Sequence, residues 1–183
     1  MSELETVAAP LTTEQQLAFA NRLQALSNRI HATADLDEIM LDLSQAICAL
    51  FGCERLTLYA VHRERNALYS KVKLGINSSK DLVLPLDGPS IAAFVATQRR
   101  GVRIADVYDT AELAAISPEL HFFDKVDQAI AYRTRQMLAA PIVSEAGQLL
   151  GVIQLLNRID GQPFDAAAEA GLQQLCATMA VAF

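Results

Sequence analysis

Tryptophan is absent from this 183-residue sequence, and aromatic residues of all kinds make up only 6% of it. Hydrophobic residues nevertheless account for 52%, which excludes a disordered chain and predicts a core of aliphatic side chains. A chain of this length fits one domain. We expect residues 1–11 to be a mobile leader and residues 12–183 to form the domain. The uncapped apolar run at its end indicates a domain excised from a longer multidomain protein.

Long hydrophobic runs are also missing. The longest apolar stretches fall far short of the ~20 residues that a membrane helix needs, and the first ten residues lack the apolar segment of a secretory signal. The net charge of −6 argues against nucleic acid as a partner. The three cysteines form no C-x-x-C motif, a usage that fits a reducing compartment. These absences predict a cytoplasmic protein with no nucleic-acid partner and no membrane insertion.

The common catalytic and cofactor-binding signatures are lacking too. The sequence contains no G-x-x-x-x-G-K-[ST], no G-x-G-x-x-G, no H-E-x-x-H and no G-x-S-x-G. The three histidines lie far apart, whereas a metal site needs three or four convergent ligands. Cys53, two residues before Arg55, comes nearest to an activated thiol, while Cys48 and Cys176 fit small core residues. We therefore predict no enzyme activity, no metal site and no required cofactor.

What is present is a clear helical periodicity in three parts of the chain. The first helix is predicted to have Thr12 or Thr13 as its N-cap, and its narrow stripe of Leu23, Leu26 and Ile30 is typical of a helix–helix seam. A second helix is predicted to run from position 35 to the glycine at position 52. A last helix is predicted after a cap at position 165.

Strand patterns occupy the middle of the chain. Turn residues at 63–66 and at 144–148 separate pairs of apolar or alternating runs, which predicts two hairpins. A short helix is predicted near Leu120, with Ser117 as its N-cap. The resulting order is ααβββαβαββα, and its hairpins predict an α+β domain in which helices pack on an antiparallel sheet.

The segment from 102 to 164 is the candidate binding region. Tyr132, Arg133 and Thr134 stand just before a buried strand, and a ring, a cation and a hydroxyl over an apolar sheet suit a small anionic or heterocyclic ligand. Packing, solvation and loop hydrogen bonds are the alternative interpretation of the same three residues. Four aspartates around the predicted short helix are interpreted as caps and solvated groups rather than as general acids and bases: Asp106, Asp109, Asp124 and Asp127.

Three stretches, "IADVYD", "VDQAIAYRTRQMLAAPI" and "GQLLGVIQLLNRIDGQPF", resemble consecutive blocks of the GAF domain, a small-molecule and regulatory module of cyclic-nucleotide phosphodiesterases and many bacterial sensors. The resemblance covers roughly residues 30–183. It extends to the GAF domains that precede GspE/PulE-type ATPases of type II secretion and type IV pilus assembly. It implies a PAS-related, six-stranded antiparallel sheet with helices on both faces. It also implies terminal helices packed together, a homodimer formed through those helices, and a downstream domain.

The resemblance also implies site residues. The candidate ligand contacts are Phe94, Asp106, Tyr132, Arg133, Thr134 and Gln154. Cyclic-nucleotide-binding members carry an Asn-Lys…Phe…Asp-Glu motif, which this chain matches in kind at Asn157, Arg158, Phe164 and Glu169. Ala168 stands where the family has Asp, unless Asp165 substitutes for it, and Ala131 stands where the family has Gly. Both departures argue against a cyclic nucleotide.

The Asn-Arg pair is interpreted as part of a structural latch rather than as a direct ligand contact. An Asn amide can satisfy loop backbone groups, and an Arg can pair with a nearby carboxylate. The latch comprises Asn157, Arg158, Phe164, Asp165 and Glu169.

Three functions follow from these observations. The first is a non-catalytic regulatory domain that binds a small molecule, with a nucleotide as one candidate, between the sheet and the 106–134 segment. It would signal through its terminal helices to a downstream module, for which a secretion or pilus ATPase is one candidate. The alternative is a ligand-free dimerisation or docking module with a filled pocket. An enzyme like the GAF-type methionine sulfoxide reductases is disfavoured, because Cys48 and Cys176 fit core positions.

Overall fold

The structure is a computed structural model that describes residues 11–33, 43–73 and 79–182, with side chains described there except at 71–73 and 79–81. Six α-helices are present in this part of the chain: α1 (Thr13–His31), α2 (Ser44–Phe51), α3 (Ile91–Gln98), α4 (Thr110–Ile116), α5 (Lys125–Ile130) and α6 (Ala166–Ala182). The strands are β1 (Cys53–His62), β2 (Ala67–Lys73), β3 (Ser79–Pro85), β4 (Val102–Ile104), β5 (Met137–Val143) and β6 (Leu149–Arg158).

The six strands form one antiparallel sheet in the order β3-β2-β1-β6-β5-β4, which confirms the predicted α+β class. The two long strands β1 and β6 lie at its centre. Both predicted hairpins are present. A 3-10 turn at Arg63–Arg65 joins β1 to β2, and a backbone hydrogen bond between Ser144 and Gln148 closes the turn from β5 to β6.

Each face of the sheet is covered by its own hydrophobic core, because successive strand residues point to opposite sides. On one face, which we call the terminal-helix face, Ile153 and Leu155 of β6 pack with α1, α2 and α6. On the other, which we call the ligand face, Val152 and Leu156 pack with α3 and with the segment leading from β4 to β5. Helices on both faces were predicted, and strand β6 is buried against both.

The terminal helices α1 and α6 pack against each other on the terminal-helix face, as predicted. Phe19 of α1 lies beside Gly171 of α6, and farther along the pair Ser27 Oγ is 3.3 Å from Thr178 Oγ1. Since residue numbers rise together along the two helices, α1 and α6 run parallel. The stripe predicted for α1 is buried in this seam and beneath it.

Gly171 sets how closely the two helices approach. A Cβ placed there would lie 2.6 Å from Cζ of Phe19. Alanine favours a helix over glycine by about 0.5–1 kcal/mol, but overpacking costs about 1–3 kcal/mol. We therefore expect Gly171→Ala to lower the free energy of unfolding by up to about 2 kcal/mol in a denaturant titration. In a Phe19→Ala background, where Cε1 of Phe51 at 3.3 Å is the near neighbour that remains, this cost should shrink, and an undiminished cost there would contradict this packing.

Two helix predictions have different outcomes. The second helix ends at Gly52 as predicted (φ 62°), while its predicted first half, residues 34–42, lies outside the described residues. The prediction of a short helix with Ser117 as its N-cap is wrong. Ser117 instead ends α4 in an extended conformation (φ −157°), because the proline that follows disfavours the helical region for it. The next helix after α4 is α5, which follows after a turn.

In the described ranges, no helix is both long and apolar enough to cross a membrane.

Candidate functional site

The ligand face contains a cavity of about 50 Å³ between the sheet and the segment that covers it. Tyr59 of β1 and Gln154 of β6 form part of its floor, Ile91 of α3 forms one wall, and residues 121–123 close it from above. A cavity needs about 10–15 Å³ per water molecule, so this one holds on the order of three or four. Pockets for organic ligands measure ~300–1,000 Å³, so a nucleotide requires the covering segment to move.

Two polar groups that line this cavity, the Tyr59 hydroxyl and the Gln154 amide, make no hydrogen bond with another described residue. Among the described residues, every fully buried side-chain N or O atom has a partner, so these polar atoms are open to the space of the cavity. Gln154 is 6% exposed and faces the cavity because its strand neighbours Ile153 and Leu155 face the terminal helices. Burial raises the pKa of Tyr59, so its hydroxyl stays protonated and can donate. Polar groups that open into a mainly apolar cavity are what ligand sites use to orient a ligand, which makes this couple the best-supported ligand contacts on the ligand face.

Asp127 of α5 organises the segment that covers the sheet. Its carboxylate is 6% exposed and accepts three hydrogen bonds. The Tyr108 hydroxyl donates to Oδ2 at 3.0 Å, and the Thr134 backbone N–H and hydroxyl donate to Oδ2 at 2.7 Å and to Oδ1 at 2.8 Å. Burial and the bond to Asp127 both raise the pKa of Tyr108. Thr134, a predicted ligand contact, is therefore already bonded within the protein.

Tyr132 and Arg133 lie on the outside of this segment and do not line the cavity. The Tyr132 hydroxyl donates to Oε2 of Glu54 at 2.8 Å, and the Arg55 guanidinium lies 4.9 Å from the centre of its ring. Burial and the bond to Glu54 raise the pKa of Tyr132. Arg133 lies over the Tyr108 ring at 4.2 Å.

The remaining two predicted contacts also lie away from the cavity. Phe94 packs partly buried against the core of the ligand face, and the Arg100 guanidinium lies 5.4 Å from its ring centre. Asp106 is exposed and accepts a hydrogen bond from the backbone of Tyr108 at 2.9 Å. Of the six candidate residues, the structure thus brings Gln154 alone to the cavity. The assignment of the other five as ligand contacts stays a prediction.

Asn157 joins three parts of the chain at the exit of β6. Its Oδ1 accepts from the backbone N–H of Arg135 at 2.6 Å, and its Nδ2 donates to the carbonyl of Arg133 at 2.8 Å and to Oε2 of Glu54 at 3.4 Å. The residue has φ 52°, a left-handed conformation that Asn tolerates better than most residues. The loop before β5 is therefore tied to β6 and to the start of β1.

The other members of the predicted latch hold the turn between β6 and α6. Arg158 forms ion pairs with Asp160 and, at 3.9 Å, with Asp165, whose Oδ1 caps α6 by accepting from the Ala168 N–H at 2.8 Å. Phe164 is buried in the core of the terminal-helix face. Glu169 pairs with Arg103 of β4 at 2.8 Å.

Three residues of this region were missed or misjudged by sequence reasoning. Asp127 was grouped with solvated aspartates, and Glu54 and Tyr59 drew no attention. Of these three, only Tyr59 could have been found from the local sequence. Its position in a strand with alternating side chains predicts that its own side chain is buried. Ala131 has φ 52°, the conformation for which the resembling family uses glycine.

Residues 35–183 match the family model described as GAF domain. Two curated relatives are phosphodiesterases. The chain is 28% identical over 141 residues to the rod cGMP-specific 3',5'-cyclic phosphodiesterase subunit alpha of Homo sapiens, which covers 70% of this chain and 15% of the relative. It is 37% identical over 78 residues to the dual 3',5'-cyclic-AMP and -GMP phosphodiesterase 11A of Takifugu rubripes, which covers 43% and 8%. The chain thus spans a small fraction of these relatives' length.

Solved structures of similar fold cover nearly the whole chain. The GAF domain of a phosphoenolpyruvate-protein phosphotransferase from Coxiella burnetii superposes with a TM-score of 0.71 at 16% identity, over 91% of this chain and 92% of that one. Free methionine-R-sulfoxide reductase from Neisseria meningitidis, solved with its substrate, gives 0.66 at 13% identity, over 96% and 93%. Identities this low indicate a shared fold and nothing finer.

Proposed function

Because the chain belongs to the GAF family, we propose that it is a non-catalytic regulatory domain that binds a small molecule on the ligand face. The observation that carries this proposal is the Gln154 amide, which bonds no other described residue and opens into a largely apolar cavity. An apolar pocket with a few convergent polar groups is typical of ligand sites. A ligand with polar atoms at this place would form hydrogen bonds with the amide.

The two polar groups indicate what such a ligand offers. A Gln amide presents a donor and an acceptor side by side, and the nearby Tyr59 hydroxyl adds one more donor. This combination suits a planar polar edge, such as that of a nucleobase or another amide-bearing heterocycle. Two of the relatives described above are phosphodiesterases named for cyclic nucleotides. A nucleotide is therefore one candidate, although Ala168 and Ala131 depart from the cyclic-nucleotide-binding pattern.

Strand β6 supplies a route from the ligand to the terminal helices. Gln154 faces the cavity while Ile153 and Leu155, one residue on either side, pack in the core beneath α1 and α6. A ligand that binds two arrangements of this strand differently shifts the balance between them, typically with about 1–3 kcal/mol of coupling. The terminal helices would then pass the change to a partner copy in a homodimer and to a downstream module. A secretion or pilus ATPase is one candidate for that module on the sequence resemblance.

A thermal-shift screen of nucleobases, nucleosides and nucleotides tests the proposal. At a concentration 100-fold above its Kd, a ligand that binds only the folded state raises the free energy of unfolding by about 2.7 kcal/mol. For a chain of this size, that corresponds to a rise in Tm of roughly 5–10 °C. Gln154→Met keeps the volume and removes the amide. We expect it to abolish the shift while leaving the Tm of the free protein unchanged or higher.

Gln136→Met is the matched control, because Gln136 is also buried (8% exposed) but donates to the Gly161 carbonyl. The Gln136→Met variant should have a lower Tm than the wild type and an unchanged affinity for the ligand. Tyr132→Ala and Arg133→Ala report whether the covering segment closes on the ligand. A screen without any shift, together with a native mass that shows no retained molecule, would overturn the proposal.

The small volume of the cavity favours one alternative, a ligand-free dimerisation or docking module with a filled pocket. It predicts that no compound shifts Tm and that the wild type retains no small molecule. Native mass spectrometry of the wild type, which reports a retained molecule and the oligomeric state together, separates the two functions.

A further inference from the structure

A cleft of about 340 Å³ opens at the exit of β6, and it shares no described residue with the cavity of the ligand face. Arg133 and Arg135 of the loop before β5 line it, together with Arg158 at the end of β6. Among the described residues that line it, Glu54 alone is acidic. In a protein whose net charge is −6, three arginines against one glutamate make this cleft a local site of positive charge.

We propose that this cleft, which we call the arginine cleft, binds the phosphate group of a small organic phosphate monoester, with Arg135 as its main anion contact and Arg133 as the second. A guanidinium is planar, stays charged at physiological pH and matches two phosphate oxygens with two parallel N–H groups. The site is separate from the cavity, so it does not rest on the function proposed above.

The backbone of Arg135 is held in place while its guanidinium stays free. Its N–H donates to Oδ1 of Asn157 at 2.6 Å, and its carbonyl accepts from the N–H of Val107 at 2.9 Å. The residue is exposed, and its side chain forms no hydrogen bond, ion pair or ring contact with another described residue. An anion that binds here breaks no existing side-chain contact, and the fixed backbone lowers the cost of ordering the site.

Arg133 is held on the same outer side of this loop. Asn157 Nδ2 donates to its carbonyl at 2.8 Å, so one amide fixes the backbone of both arginines. Thr134 between them is 1% exposed and faces inward, whereas Arg133 and Arg135 are exposed. The Arg133 guanidinium lies 4.2 Å from the centre of the Tyr108 ring, and no described acceptor bonds its N–H groups. Those N–H groups are therefore available to an anion.

The other lining residues indicate a ligand larger than free phosphate. The charge of Glu54 is partly compensated, because its Oε2 accepts from the Tyr132 hydroxyl at 2.8 Å and from Asn157 Nδ2 at 3.4 Å. Arg158 is paired with two aspartates and is less free to bind. Ile159 is 72% exposed and offers apolar contact to the organic part of a ligand. The cleft volume also falls within the ~300–1,000 Å³ that organic ligands occupy.

Isothermal titration calorimetry of the full chain with three small anions tests the proposal. Phenyl phosphate carries a phosphate dianion on an apolar ring, inorganic phosphate lacks the ring, and benzoate keeps the ring but carries a single charge. We expect phenyl phosphate to bind more tightly than either of the other two. No binding of phenyl phosphate at millimolar concentration, or equally tight binding of benzoate, would overturn the proposal. Equally tight binding of inorganic phosphate would overturn the assignment to an organic monoester.

Four variants locate the binding. Arg135→Gln should weaken phenyl phosphate by at least ~10-fold, and Arg135→Lys, which keeps the charge and loses the planar fork, should fall between it and the wild type. Arg65→Gln is the matched control, since Arg65 is exposed, lies outside the cleft and has no side-chain partner in the described part of the chain. Gln154→Met should also leave this affinity unchanged, which separates the arginine cleft from the cavity.

Three results from these variants would contradict the proposal. They are full affinity in Arg135→Gln, equal weakening by Arg135→Gln and Arg65→Gln, and loss of binding in Gln154→Met. The Arg135 side chain makes no contact with a described residue that the substitution could break. The Tm of each free variant should therefore match that of the wild type, so a loss of affinity reports on the site and not on folding.

Discussion

Asp127→Ala is expected to lower the free energy of unfolding by about 3–5 kcal/mol, the largest effect of any single substitution considered for this protein. The change removes an acceptor of three hydrogen bonds and leaves the Tyr108 hydroxyl and both donors of Thr134 unpaired. Unpaired donors in a buried site lose water without replacement, and bonds to a charged group are the stronger class. Denaturant unfolding monitored by circular dichroism measures the loss.

Asp124→Ala is the matched control for this prediction. Asp124 lies three residues earlier, is only partly buried, and accepts from the side chain of Gln128. Its loss should cost less than about 1 kcal/mol. Asp127→Asn, which keeps the volume and one acceptor oxygen, should fall between the two. If Asp127→Ala and Asp124→Ala prove equally mild, Asp127 does not organise the covering segment.

Asn157→Ala is expected to cost about 2–4 kcal/mol, because two separate terms add. The side chain makes three hydrogen bonds, of which the two short ones satisfy backbone groups of Arg133 and Arg135. The backbone is also left-handed at this position, a conformation that alanine adopts with strain. Thermal or denaturant unfolding measures the sum of the two terms.

Two further variants separate those terms. Asn157→Gly removes the hydrogen bonds without the strain. Asn66→Ala supplies the strain alone, because Asn66 has φ 47° at an exposed turn and no side-chain hydrogen bond among the described residues. The hydrogen-bond account requires Asn157→Gly to be clearly more damaging than Asn66→Ala. The reverse order would leave backbone strain as the main role of Asn157.

Features of the fold that depend on short stretches of sequence were predictable. The stripe of Leu23, Leu26 and Ile30 has the spacing of one helical face, and all three side chains are buried where α1 meets the sheet and α6. The cap at Asp165 and the hairpin at 144–148 are set by residues within a few positions of one another. Local physics therefore determined which elements form.

Features that depend on residues distant in sequence were not predictable. Glu54 meets Tyr132 and Asn157 across separations of 78 and 103 residues, and no local pattern announces those contacts. The prediction of a short helix near Leu120 was wrong for a different reason, which is local in sequence. The Ser117-Pro118 pair suits the start of a helix and the end of one equally well. Asp109 caps α4 by accepting from two of its N–H groups, so the pair ends that helix instead of starting another.

The cavity lies between the sheet and the 106–134 segment, where the candidate site was predicted, but only Gln154 of the six predicted residues lines it. Strand alternation was enough to direct Gln154 toward the ligand face. Tyr132, Arg133 and Thr134 have the chemistry of a binding loop, but hydrogen bonds and ring contacts within the protein occupy all three in this conformation. Whether a polar residue faces a ligand or another residue depends on how the segment packs, which composition does not encode.

The parallel course of α1 and α6 has a mechanical consequence. Each helix rises 1.5 Å per residue, so the 19 residues of α1 extend about 28 Å, and residues 13 and 182 point away from opposite ends of the pair. Tension applied between those two positions would slide one helix along the other and load every contact of the seam at once, including Phe19 against Gly171 and Ser27 with Thr178. Antiparallel helices pulled from a common end would instead peel apart one turn at a time. A pull along this axis therefore meets the resistance of the whole helix seam at once.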